Sequence, residues 1–149
     1  MIQVIKELRL EADTLSGYIK SLPGSPEVTK ANNSITMAKC WMGKFLGLLG
    51  EETPYQNDGK RKEVKDIETA TETHSTLKPL TGTQVEQIDW IRERISLLLK
   101  DYNTLITDEC NPESIKPMVI LCSIEQHLHE ARFWLGLALG SIRDSASKL

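Results

Sequence analysis

Cysteine is scarce and unpatterned in this chain: Cys40, Cys110 and Cys122 lie far apart and form no C-x-x-C pair. An odd, scattered set indicates neither a disulfide framework nor a zinc knuckle. Long apolar runs are missing too. The longest, Ile115–Ser123 and Phe133–Ile142, are broken by polar residues or glycine and fall short of the ~20 residues of a membrane span. Met1–Leu10 carries Lys6, Glu7 and Arg9 and has no signal-peptide core, so a cytoplasmic location is expected. Neither sign of charge dominates: 18 basic and 21 acidic side chains give a net −3. That argues against a DNA- or RNA-coating protein, which needs a basic surface. The Gly-x-Ser-x-Gly, P-loop and Rossmann patterns are absent, and no nucleophile has a base at a readable spacing. These gaps lead us to expect a protein that is not an enzyme and has no cofactor. Aromatics are 5% of the residues, and three of the eight are tryptophan.

What is present is helical spacing in a globular composition, 40% hydrophobic and 26% charged. Ile5, Leu8, Ala12, Leu15, Ile19 and Leu22 step by threes and fours, which predicts an amphipathic helix over 2–21. Pro23-Gly24-Ser25-Pro26 stops it, with Ser25 as N-cap and Pro26 at the first position of the next helix. That helix carries Val28, Ala31, Ile35, Ala38, Met42, Phe45 and Leu49, and Gly50 ends it. Residues 51–83 are polar and read as a long connection, with a short helix near 63–73. Thr83 with Glu86 has capping-box spacing and opens a third stripe: Ile88, Ile91, Ile95, Leu98, Tyr102 and Leu105. Residues 107–117 read as a loop. A fourth helix, from Pro117 or one turn earlier at Pro112, carries Leu121, Ile124, Leu128, Ala131, Leu135, Ala138 and Ile142. The tail 144–149 is expected to fray. No period-two strand pattern occurs.

The chain also repeats itself. Residues 38–47 (AKCWMGKFLG) and 131–140 (ARFWLGLALG) are identical at five of ten positions, at an offset of 93. The helices before them align at an offset of 83: Ile5 on Ile88, Leu8 on Ile91, Arg9 on Arg92, Leu15 on Leu98 and Leu22 on Leu105. Amphipathic stripes match cheaply, whereas a shared Trp-x-Gly-x-x-x-Gly does not. The expected fold is all-α: two duplicated helical hairpins, 1–50 and 84–149, joined by a polar linker, 51–83, and packed as a four-helix bundle with a pseudo-twofold.

Gly43, Gly47, Gly136 and Gly140 cost helix stability, ~1 kcal/mol each relative to alanine. Something should compensate, either close packing of another backbone or the approach of a ligand. Trp41 and Trp134 lie beside the core stripe. They read either as interface-filling residues or as stacking walls for a base, with Lys39, Lys44 and Arg132 available for phosphate. Trp41 and Lys44 share a helix face, whereas Lys39 and Arg132 point away from their tryptophans. This order places Lys44 before Arg132, and the first hairpin before the second. His127, His129 and Glu130 read as a solvated face, because histidines two apart on a helix cannot serve one metal ion.

The second helix of each hairpin resembles the helical-hairpin domain of the phage anti-CBASS and Thoeris anti-defence sponge proteins. Leu128, Glu130, Ala131, Trp134 and Ala138 match in one copy, and Ala38, Trp41 and Lys44 in the other. Leu137 stands where that pattern has lysine, Met37 where it has glutamate, and two hairpins are fused in one chain. The resemblance implies a small oligomer that sequesters a cyclic nucleotide or ADP-ribose-derived signal without cleaving it, in the host cytoplasm. It implies ligand contacts at Lys39, Trp41, Lys44, Arg132 and Trp134. The competing reading is a non-catalytic helical interaction or adaptor module that binds a partner helix. A third, an all-α nucleotide hydrolase, needs an acidic metal cluster that the stripes do not show.

Overall fold

A computed structural model describes residues 2–51, 54, 80–109 and 115–147 of the chain. They form four helices: α1 (Ile2–Ser21), α2 (Pro26–Leu48), α3 (Gln84–Glu109) and α4 (Ile115–Ser147). The protein is all-α, and no strand occurs among the described residues. Local sequence sets the boundaries. The Ser25 hydroxyl accepts from the Val28 amide at 3.2 Å, with proline at the first helical position. Gly50, at φ +97°, ends α2 in the left-handed region that glycine tolerates. Thr83 Oγ1 accepts from the Glu86 amide at 3.2 Å and donates to its carboxylate at 3.1 Å.

Two expected boundaries are corrected. Residues 107–109 belong to α3 rather than to a loop. The tail does not fray at Asp144, since α4 continues to Ser147. α4 begins at Ile115, between the two starts that the prolines suggested. The helix expected near 63–73 lies outside the described residues.

All four stripes turn inward to one core, with Leu49 and Ile142 at its partly buried margin. α2 and α4 share the most extensive contact, and α1 also packs on α2 and α3, and α3 on α4. The buried faces of α2 and α4 carry Ala31, Ser34, Ala38, Ala131 and Ala138. Side chains that small let helix axes approach closely. α3 instead buries isoleucine, leucine and tyrosine, and α1 buries Ala12 and Ser16 among isoleucine and leucine.

Side-chain contacts fix the helix directions. The start of α2 meets the end of α4, where Val28 lines one groove with Ile142 and Ser145. α1 runs against α3, with Tyr18 beside Trp90 at 5.2 Å and Glu7 in a groove with Asp101. Gln84, the first residue of α3, lies beside Pro23 and Gly24, whereas the end of α2 is tied to the start of α1 by Lys6–Glu51 at 3.0 Å. The connection from α2 to α3 therefore joins opposite ends of the bundle. α2 has 23 residues and is about 35 Å long, so at least ~10 fully extended residues are needed to run alongside it. Bundle loops of the usual 2–8 residues cannot do this, so a longer connection is required. At the far end of that connection Leu80 packs against the core.

Candidate functional site: a cationic groove between α3 and α4

The glycine positions resolve first. A Cβ at Gly136 would sit 3.3 Å from Arg92 Nη2 and 3.4 Å from Arg92 Cζ. The Arg92 guanidinium lies across α4 there, and its Nε donates to the Arg132 carbonyl at 3.3 Å. In the first hairpin Arg9 Nε donates to the Lys39 carbonyl, also at 3.3 Å. Gly43 follows Lys39 by four residues, as Gly136 follows Arg132, and is buried. What approaches Gly136 is thus an arginine of the hairpin's own first helix, rather than a foreign backbone. Gly140 faces open space, and a Cβ at Gly47 would make ordinary contact with Pro54 at 3.6 Å.

The five expected ligand residues do not converge. Lys39 Nζ lies 2.6 Å from Asp13 Oδ1, bridging α1 and α2. Lys44 Nζ lies over the Trp41 ring, 5.4 Å from its centroid, so these two share a face as their spacing required. Trp134 is covered by Lys30 of α2 at 4.3 Å and meets the Phe133 ring edge-on at 5.6 Å. Both indoles are half-buried against the core, and each is already served by a lysine of the chain. A base stacking on the lysine-covered face of either ring would displace that lysine.

Arg132 is placed differently. It is exposed and lines a groove of about 660 Å³ between α3 and α4. Ser96, Lys100, Asn103 and Thr107 of α3 form the facing wall, with His129 one helical turn before Arg132. Buried Leu99 gives the groove an apolar patch. The hydroxyl of Ser96 donates to the Arg92 carbonyl at 3.1 Å, which leaves its oxygen as an acceptor. Neither Arg132 nor Lys100 has an ion-pair partner among the described residues. Glu125, one turn before His129, is engaged by His129 Nε2 at 3.6 Å. His127 pairs separately with Glu130 at 3.3 Å. The two histidines thus point to different carboxylates, as their spacing required, and no cluster able to hold a metal occurs among the described residues.

Sequence reading did not single out Ser96, Lys100, Asn103 or Thr107, because the polar flank of an amphipathic helix looks like any solvated face. One signal was available. At the offset of 93 Arg132 keeps the cation of Lys39, while at the offset of 83 Ser96 replaces its partner Asp13.

Comparison with family models, curated proteins and solved structures returns no match.

Proposed function

We propose that this protein is a sponge, binding a phosphate-bearing, nucleotide-type signal without cleaving it in the α3–α4 groove. One observation carries the reading. Lys39 is neutralised inside the chain by Asp13, whereas its counterpart Arg132 faces a groove beside Lys100 with no carboxylate of described position paired to it. Guanidinium matches phosphate with paired, charge-assisted hydrogen bonds. The Asn103 amide and the hydroxyls of Ser96 and Thr107 suit ribose oxygens, and Leu99 offers apolar area to a base. A local pair of cations sets the field at the groove even in a chain of net charge −3. Sequestration rather than turnover is what the family resemblance implies. The paired Arg9 and Arg92 hydrogen bonds support a duplicated hairpin, with ligand binding kept in the second copy.

The same reading includes self-association. α2 exposes Met37 and Leu48, and α4 exposes Leu137 and Phe133, the last at 58%. Apolar side chains of this size on the two most closely packed helices suit a second copy of the chain.

Calorimetry with a panel of cyclic dinucleotides and cyclic ADP-ribose products tests the proposal. A bound compound recovered chemically intact after denaturation is the expected result. A converted product, or no binding by any member, contradicts it.

A further inference from the structure

The register places the counterpart of the α3–α4 groove between α1 and α2 of the first hairpin. Two side-chain bonds tie α1 to α2 across it: Lys39 to Asp13 at 2.6 Å and the Ser16 hydroxyl to Asn32 Oδ1 at 2.7 Å. In the second hairpin the corresponding residues are Arg132, Ser96, Leu99 and Glu125. Ser96 turns back to its own helix carbonyl and Leu99 has no polar atom to offer. Arg132 keeps the cation of Lys39, Lys100 adds a second where the first hairpin has Gly17, and both cross-helix bonds are lost. A carboxylate held in the same chain competes at high effective concentration with any anion in solution. An alcohol does not.

We infer that this one position, Asp13 in the first hairpin and Ser96 in the second, decides which hairpin accepts an external anion. Asp13 fills the first groove as an internal carboxylate. Ser96 leaves Arg132 for a phosphate from outside. The protein thus takes one phosphate-bearing ligand per chain, and its first groove is a latent second site. The inference rests on the anion-binding half of the reading above, and not on the ligand being a nucleotide.

Inorganic pyrophosphate, which offers phosphate oxygens and no base, is the probe. It is titrated into wild-type protein, Ser96→Asp and Asp13→Ser, with calorimetry for stoichiometry and NMR of the Arg132 Nε–H and Lys39 Nζ groups for location. Wild type should bind one equivalent, moving Arg132 and leaving Lys39 still. Ser96→Asp should weaken binding at least about tenfold, the loss expected when a charged hydrogen bond is taken by a competitor. Asp13→Ser should add a second equivalent and bring Lys39 into the response. If Asp13→Ser does not fold, Asp13→Asn replaces it, and the Ser96→Asp arm decides alone if neither folds. Absence of pyrophosphate binding by wild type, undiminished affinity in Ser96→Asp, or a folded Asp13 variant still at one equivalent with Lys39 silent overturns the inference. Pyrophosphate following the expected pattern while no nucleotide is held would sink the nucleotide reading and leave this inference standing.

Discussion

At the scale of single residues, two glycines on one helix separate packing from propensity. Gly140 faces open space inside α4. Gly140→Ala should raise stability by about 0.4–1 kcal/mol, since alanine restricts the unfolded chain and favours the helix. At Gly136 the new methyl meets the Arg92 guanidinium at 3.3 Å. That is the end of a flexible side chain, so the arginine shifts and the gain at Gly136→Ala should be smaller. Urea denaturation of both variants checks the order, and an equal or larger gain at Gly136 contradicts the packing described. Glu11 supplies a second residue-scale test. Burial raises its carboxyl above the usual range, outweighing the lowering by Arg94 at 3.5 Å, and Asp101 adds to the rise. Glu7 of its own helix lines the same groove. A carboxyl raised in the folded state binds its proton more readily there than in the unfolded chain, so its ionisation opposes folding at neutral pH. That penalty fades as pH falls through the raised folded value and is gone below the ordinary carboxylate range. Glu11→Gln should therefore be at least as stable as wild type near pH 7, with the difference closing by about pH 4. Thermal melts across that interval read it, and a net loss near pH 7 would show that the Arg94 pair outweighs burial.

At the scale of elements, both hairpins owe their geometry to short, legible signals. Removing the Ser25 hydroxyl leaves the Val28 amide without its cap. Ser25→Ala should cost about 1 kcal/mol of folding stability, and a loss below a few tenths would mean water replaces it freely. The stripes from Ile5 to Leu22 and from Ile88 to Leu105 were readable residue by residue, because every third or fourth position is buried in the structure. The start of α1 and the start of α2 were readable as well. The end of α3 was not. Thr107 and Asp108 are poor helix formers by type, yet the helix continues past Leu105 to Glu109, since propensity is a weak guide to where a helix ends. The site was less legible than the fold. Trp41, Lys44 and Trp134 drew attention by residue type, and in the structure those rings meet the chain's own lysines. The groove beside Arg132 is made by two helix flanks, and spacing along either helix alone does not show which flank lies opposite.

At the scale of the whole molecule, the bundle is two antiparallel hairpins whose second helices form the closest pair, with a connection that must travel its full length. Arg9 and Arg92 make the same hydrogen bond at register-related positions, and the grooves beside them differ in charge at Asp13/Ser96, Gly17/Lys100 and Asn32/Glu125. The exposed apolar residues of α2 and α4 carry the self-association proposal. Light scattering at micromolar concentration should give a mass at or above twice 16.8 kDa, and a monomer mass would remove it. No helix among the described residues is long and apolar enough to cross a membrane. The central claim is that Arg132, rather than Lys44, holds an anionic ligand, the reverse of the order that residue type and spacing suggested. The direct measurement is calorimetric titration of whichever cyclic nucleotide or cyclic ADP-ribose product binds, into wild type, Arg132→Ala and Lys44→Ala. The account predicts that Arg132→Ala weakens binding by about 1.5–3 kcal/mol, the worth of a charged hydrogen bond, and that Lys44→Ala changes it by less than about 0.5 kcal/mol, as for a surface residue outside the site. Unchanged affinity in Arg132→Ala, or a larger loss in Lys44→Ala, contradicts it.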